Sequence, residues 1–224
     1  MKSKTWLIFF AICGVIEVFA EATNNRALVL ISKPLLTPLL AGFAYFKANE
    51  NGSKAPIALF GALLFSLLGD VILLFASGNE TYFLMGLVAF LIGHIFYIAL
   101  NLGNAIPIKI GARELVWFVP MLAMTGFLLV KVTSTASGLA VPIIAYSSIL
   151  CTLYFTGLLT RNNLQPKHWQ VLFAGIVLFI ASDSMIAINR FIAPFEGAGV
   201  AIMATYIIAQ YLLVLGNISR QRGQ

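Results

Sequence analysis

The feature that most constrains this chain is a row of apolar runs, each about as long as a bilayer is thick, parted by short polar breaks. A helix needs about 20 mostly apolar residues to cross the hydrocarbon core. Eight runs can be marked, at 5–20, 28–46, 56–77, 81–101, 114–131, 138–159, 168–189 and 199–217. The breaks are brief, such as Glu21 to Arg26, Lys47 to Lys54 and Arg190 to Glu196. Lipid offers the backbone no water, so its polar groups must pair within helices or around a closed barrel. Barrel strands alternate polar and apolar residues, and these runs do not. The expected fold is all-α: a polytopic membrane helix bundle of about eight transmembrane helices, with 1–224 forming a single transmembrane domain.

Composition agrees, with 60% hydrophobic and 10% charged residues where soluble domains carry about 25% charged. The net charge of +6 does not mark a nucleic-acid binder, because the basic residues are scattered singly between apolar runs instead of forming a patch. Cys13 and Cys151 fall inside apolar runs, and His94 lies far from His168. Neither pair has the spacing of a disulfide framework or a zinc site, so no metal and no cofactor are expected.

Direction follows from the basic residues. With eight spans, one side carries Lys2, Lys4, Lys47, Lys54, Lys109, Arg113, Arg161, Lys167, Arg220 and Arg222, and the other only Arg26, Lys131 and Arg190. Lysine and arginine favour the cytoplasmic side, so both termini are expected there, in a multi-pass protein of the cell (inner) membrane. Lys2 and Lys4 before an apolar stretch, with Ala20-Glu21-Ala22 after it, also have the form of a cleavable signal peptide.

An ionisable residue inside a span is a functional-site candidate by default, because burying its charge in lipid costs several kcal/mol. Glu17, Lys33, Asp70 and Asp183 qualify. At about 1.5 Å per residue, Asp70 and Asp183 share one depth, beyond the midplane toward the outer face. Small residues precede both, in Leu68-Gly69-Asp70 and Ala181-Ser182-Asp183. This weak echo suggests two parallel four-helix halves. The same depth count brings Lys33, Tyr206, Gln210 and Glu17 into the outer half. Ser66 lies four residues before Asp70, Arg190 seven after Asp183, and His94 with Tyr97 forms a deeper polar stripe. Bland readings stand beside these. Lys33 would snorkel outward, the aspartates would form a structural pair with each other or with Lys33 and Arg190, and Trp6, Tyr82, Trp117 and Trp169 would anchor span ends at the interface.

Two carboxyls in a dry pocket suit general acid and base work, since desolvation favours the neutral form and a nearby cation the charged one. No Gly-x-Ser-x-Gly elbow or Cys-His pair is present, which gives no support to an acyl-enzyme. From the residues alone the substrate stays unnamed.

Several segments are similar to the YhhN family of lysoplasmalogenase-like membrane proteins. They are Ser32-Lys33-Pro34-Leu35, Phe65 to Asp70, Gly86 to Tyr97 with His94, Ser182-Asp183-Ser184-Met185-Ile186-Ala187 with Arg190-Phe191, Thr205-Tyr206 and Ala209-Gln210. The resemblance implies an eight-helix hydrolase that cleaves the vinyl ether bond of lysoplasmalogen to a fatty aldehyde and glycerophosphoethanolamine or glycerophosphocholine. It implies a lysophospholipid substrate, with Asp70 and Asp183 as acid and base. Substrate binding, or tuning of the aspartates, would fall to Lys33, Arg190, Glu17, Ser66, His94, Tyr97, Tyr206 and Gln210. The alternative is a small transporter or channel with an Asp70, Asp183 and Lys33 relay. Broken helices would favour it, and Pro34 and Pro38 make span two its candidate.

Overall fold

A computed structural model describes residues 2–105, 108, 110–135 and 137–219; Lys109, Arg220 and Arg222 of the charge count lie outside the described residues. The described residues contain eight α-helices and no strand: α1 Ser3–Ala22, α2 Arg26–Glu50, α3 Ile57–Leu73, α4 Glu80–Asn104, α5 Ala112–Thr135, α6 Ala140–Leu159, α7 Pro166–Ala187 and α8 Ala198–Ser219. Each apolar run became one helix. Seven of the eight are long and apolar enough to cross a membrane, so this is an integral membrane protein. The exception, α3, has 17 residues and spans only ~25 Å.

Span three was expected to reach residue 77, but α3 ends at Leu73. The guanidinium of Arg26 donates to the carbonyl of Leu74 and satisfies a helix end without another turn. Asn25 and Asn79 start α2 and α4 as N-caps, each accepting a backbone N–H at 3.2 Å. Proline removes a backbone donor and crowds the preceding turn. Even so, α2 runs unbroken through Pro34 and Pro38, so the one candidate for a broken transporter helix is continuous.

Packing places seven helices in a closed ring, in the order α1, α2, α3, α4, α6, α7, α8 and back to α1, with α5 outside against α6 and α7. The first four-helix half suggested by the sequence thus sits wholly in the ring, and the second contributes three helices. The α7–α8 pair approaches closely where side chains are absent. A Cβ at Gly175 would meet the backbone nitrogen of Leu213 at 2.9 Å, and one at Gly216 the Cα of Leu172 at 2.9 Å. Trp169 is a core residue here, stacked on Phe173 and donating to the Gly157 carbonyl at 3.0 Å.

Candidate active site

Polar groups are buried at both ends of the ring: Asn101 bonds Thr156 at 3.3 Å near one, and near the other α3, α4, α6, α7 and α8 bring a larger group together. Asp70 lies three residues before the end of α3, and Asp183 four before the end of α7. Both are buried. They do not bond each other; each accepts from a tyrosine across the ring. Tyr206 Oη donates to Asp70 Oδ2 at 2.7 Å, and Tyr146 Oη to Asp183 Oδ2 at 2.7 Å.

Around Asp70 the network runs inward. Gln210 Nε2 donates to Ser66 Oγ at 2.9 Å and to Tyr206 Oη at 3.2 Å, while Tyr97 Oη donates to Gln210 Oε1 at 2.8 Å. These bonds fix the Tyr206 hydroxyl by giving it an acceptor on one side and a donor on the other. Phe90, Phe179 and Tyr206 pack edge to face with centroids 5.4–6.4 Å apart, which leaves little freedom to these rings.

His94 faces Asp183 rather than continuing a stripe with Tyr97. Its Nε2 stands 3.5 Å from Asp183 Oδ2, beyond a good hydrogen bond, and its ring packs on Phe179 and Tyr146. Neither ring nitrogen makes a well-formed hydrogen bond, the Phe90 backbone being the nearest acceptor, although the residue is 1% exposed. A buried imidazole this poorly bonded is costly, and it stands directly beside the Asp183 carboxyl.

Asp183 also forms part of the wall of an apolar pocket between α4, α5, α6 and the end of α7, with Phe83, Leu87, Leu129, Leu150 and Ala187 among its other walls. Tyr146 and Ser147 of α6 and Ser184 of α7 contribute its other polar side chains. Asp70 does not border this pocket. Its helix, α3, packs against α4 and also against α2, which carries Lys33.

The remaining sequence candidates are brought near this site to different degrees. Glu17 is fully buried, its Oε2 accepting from Ser32 Oγ at 2.6 Å and its Oε1 without a partner. The ammonium of Lys33 pairs with Glu21 Oε1 at 3.9 Å. Arg190 is exposed and rests on the Phe83 ring at 5.2 Å, with no ion pair to Asp183 among the described residues. The heptad spacing behind that pairing assumed a regular helix, but Ile188–Ile192 is a π-helical turn, which shifts the register of everything after Ala187.

Tyr146 and Glu21 were absent from the sequence candidates. The depth count that selected Tyr206, eight residues into α8, would have found Tyr146, six residues into α6. Glu21 falls in a polar break of the sequence, because α1 extends further outward than the apolar run that announces it.

The YhhN family model matches residues 28–217, from α2 to α8. Lysoplasmalogenase of Mycobacterium tuberculosis is 33% identical over 211 residues, covering 88% of this chain and 73% of that protein. Lysoplasmalogenase TMEM86B of Sus scrofa is 31% identical over 179 residues, covering 80% and 71%, and that of Mus musculus 29% identical over 181 residues, covering 81% and 72%. No solved structure matches.

Proposed function

We propose, from the premise that this chain belongs to the YhhN family, that it is a membrane-embedded hydrolase cleaving the vinyl ether bond of lysoplasmalogen. The products are a fatty aldehyde and a glycerophospho-ethanolamine or glycerophospho-choline. One observation carries the assignment to this site: Asp183 borders an apolar pocket, while Asp70 sits on α3, which packs against α2, the helix that carries the cation Lys33. The vinyl ether is the junction between the apolar tail and the polar head of its substrate. A tail in the pocket and a phosphate near Lys33 leave that junction between the two carboxyls.

The chemistry needs one proton donor, one water and one group that steadies positive charge. Asp183 gives its proton to the outer vinyl carbon, and the electrons of the double bond form the new C–H bond. The inner carbon and the ether oxygen then share an oxocarbenium charge, which the Asp70 carboxylate stabilises. Water adds to the inner carbon and loses a proton to a carboxylate. The hemiacetal then collapses, its C–O bond to glycerol breaking as the glycerol oxygen takes up a proton. Tyr146 and Tyr206 orient the carboxyls, and His94 is positioned to pass a proton to or from Asp183.

The purified protein is expected to release aldehyde from a 1-alkenyl lysolipid and none from its saturated 1-alkyl analogue, which cannot form the oxocarbenium ion. Equal inertness toward both would end this reading.

The site lies at the end of the bundle opposite the excess of basic residues, so it faces the outer side of a cell membrane whose cytoplasmic side holds both termini. Reporter fusions after Lys54, Arg113, Lys167 and Gln224 are expected to report cytoplasm, and those near Asn25, Gly78, Ser134 and Glu196 the opposite side. A consistent inversion would move the site to the inner leaflet.

A further inference from the structure

A second cavity opens at the same end of the bundle, between the end of α1 and the start of α8. This mouth is open to solvent and mixed in character, with Glu21, Asn24, Asn189 and Glu196 set among small residues of the start of α8 and Phe195 as the one aromatic ring of its lining. Glu21 sits at its inner edge and pairs with Lys33 at 3.9 Å, the side chains being 23% and 15% exposed. The carboxylate also presses on the first turn of α8, where a Cβ on Gly199 would overlap it. A helix N-terminus favours negative charge, so Glu21 is held between a cation and the positive end of α8.

We propose that Glu21 is the receptor for the substrate's ammonium group, and that this mouth selects an ethanolamine head group over a choline one. The inference rests on the lysolipid reading above. Lys33 and Glu21 form a zwitterionic pair of the same composition as phosphoethanolamine, with one cation and one anion side by side. A head group entering the mouth exchanges partners with it: phosphate takes the Lys33 ammonium, and the ligand's ammonium takes the Glu21 carboxylate. All four charges end paired, and the pair that opens is a partly exposed one at long distance, which is weak. A primary ammonium donates three charge-assisted hydrogen bonds, and Glu21, Glu196, Asn24 and Asn189 all offer acceptors. A trimethylammonium donates none and is recognised by cages of several aromatic rings, of which this mouth has one.

The test is binding of saturated 1-O-alkyl lysolipids that differ only in head group to the purified full-length protein in detergent, by titration calorimetry. The ethanolamine lipid is expected to bind about tenfold more tightly than the choline lipid, the effect of one charge-assisted hydrogen bond. Glu21→Gln should bring the two affinities together by weakening the first. An alkylglycerol phosphate, which has no ammonium, should bind weakly and respond little to the substitution. Gly199→Ala keeps the charge but displaces the carboxylate, and is expected to lower the ratio as well. Equal affinities in the unaltered protein, a preference for choline, or a ratio that survives both variants would overturn the proposal. These ligands have no vinyl ether, so the result stands whether or not aldehyde is released.

Discussion

Asp183→Asn is expected to lower aldehyde release by about 10²–10⁴-fold, the usual contribution of a positioned proton donor, while the protein still inserts and melts close to the unaltered chain. Asparagine keeps the shape of the carboxyl and can still accept from Tyr146 Oη, now at 2.7 Å from Asp183 Oδ2. It has no acid proton to give. Asp70→Asn is expected to cause a loss of similar size, because the amide carries no charge to set against the oxocarbenium ion. The double variant should lose little beyond the worse single one, since residues acting on one transition state are not additive. If the pair served packing alone, both variants would lower the melting temperature and the folded fraction would keep normal turnover.

The second large effect concerns chain length. Ala187 borders the apolar pocket at the end of α7, across from Leu128 and Leu129 of the outlying α5. Ala187→Trp fills the pocket with an indole, and α5, whose span is only 11% buried, is free to yield without opening the ring. If the indole displaces about four methylenes of substrate at ~0.8 kcal/mol each, kcat/KM for a long-chain lysolipid falls by more than about a hundredfold. A short-chain lysolipid loses much less. Equal losses for long and short chains would place the tail elsewhere, and would detach Asp183 from the lipid binding on which its role depends.

Much of this architecture was legible in the sequence because lipid leaves the backbone so few choices. The eight runs became eight helices, and the aspartates singled out by the cost of buried charge meet at one end of the ring. Spacing along one helix was informative only while the helix stayed regular. Ser66 and Asp70 share a face of α3 and one network, whereas Arg190 left the face of Asp183 at the π-helical turn. Partners across the ring were not legible. Tyr146 sits in a span with no charge and no motif, and its meaning comes from the approach of α6 to α7. Glu21 reads as loop because its carboxylate is explained only by Gly199 and Lys33, which lie on two other helices. The closed ring, with α5 left outside it, is likewise a property of pairing that hydropathy along one chain does not encode.

The central claim is that a carboxyl proton reaches the outer vinyl carbon, and the origin of hydrogen in the product tests it most directly. Brief turnover of a 1-alkenyl lysolipid in D2O, with the aldehyde trapped at once and its mass measured, should give aldehyde carrying a single deuterium on the carbon next to the carbonyl. Asp183→Asn should form that labelled product at a rate lower by the factor given above. Aldehyde free of deuterium, or labelled aldehyde formed at the full rate by Asp183→Asn, would contradict the mechanism.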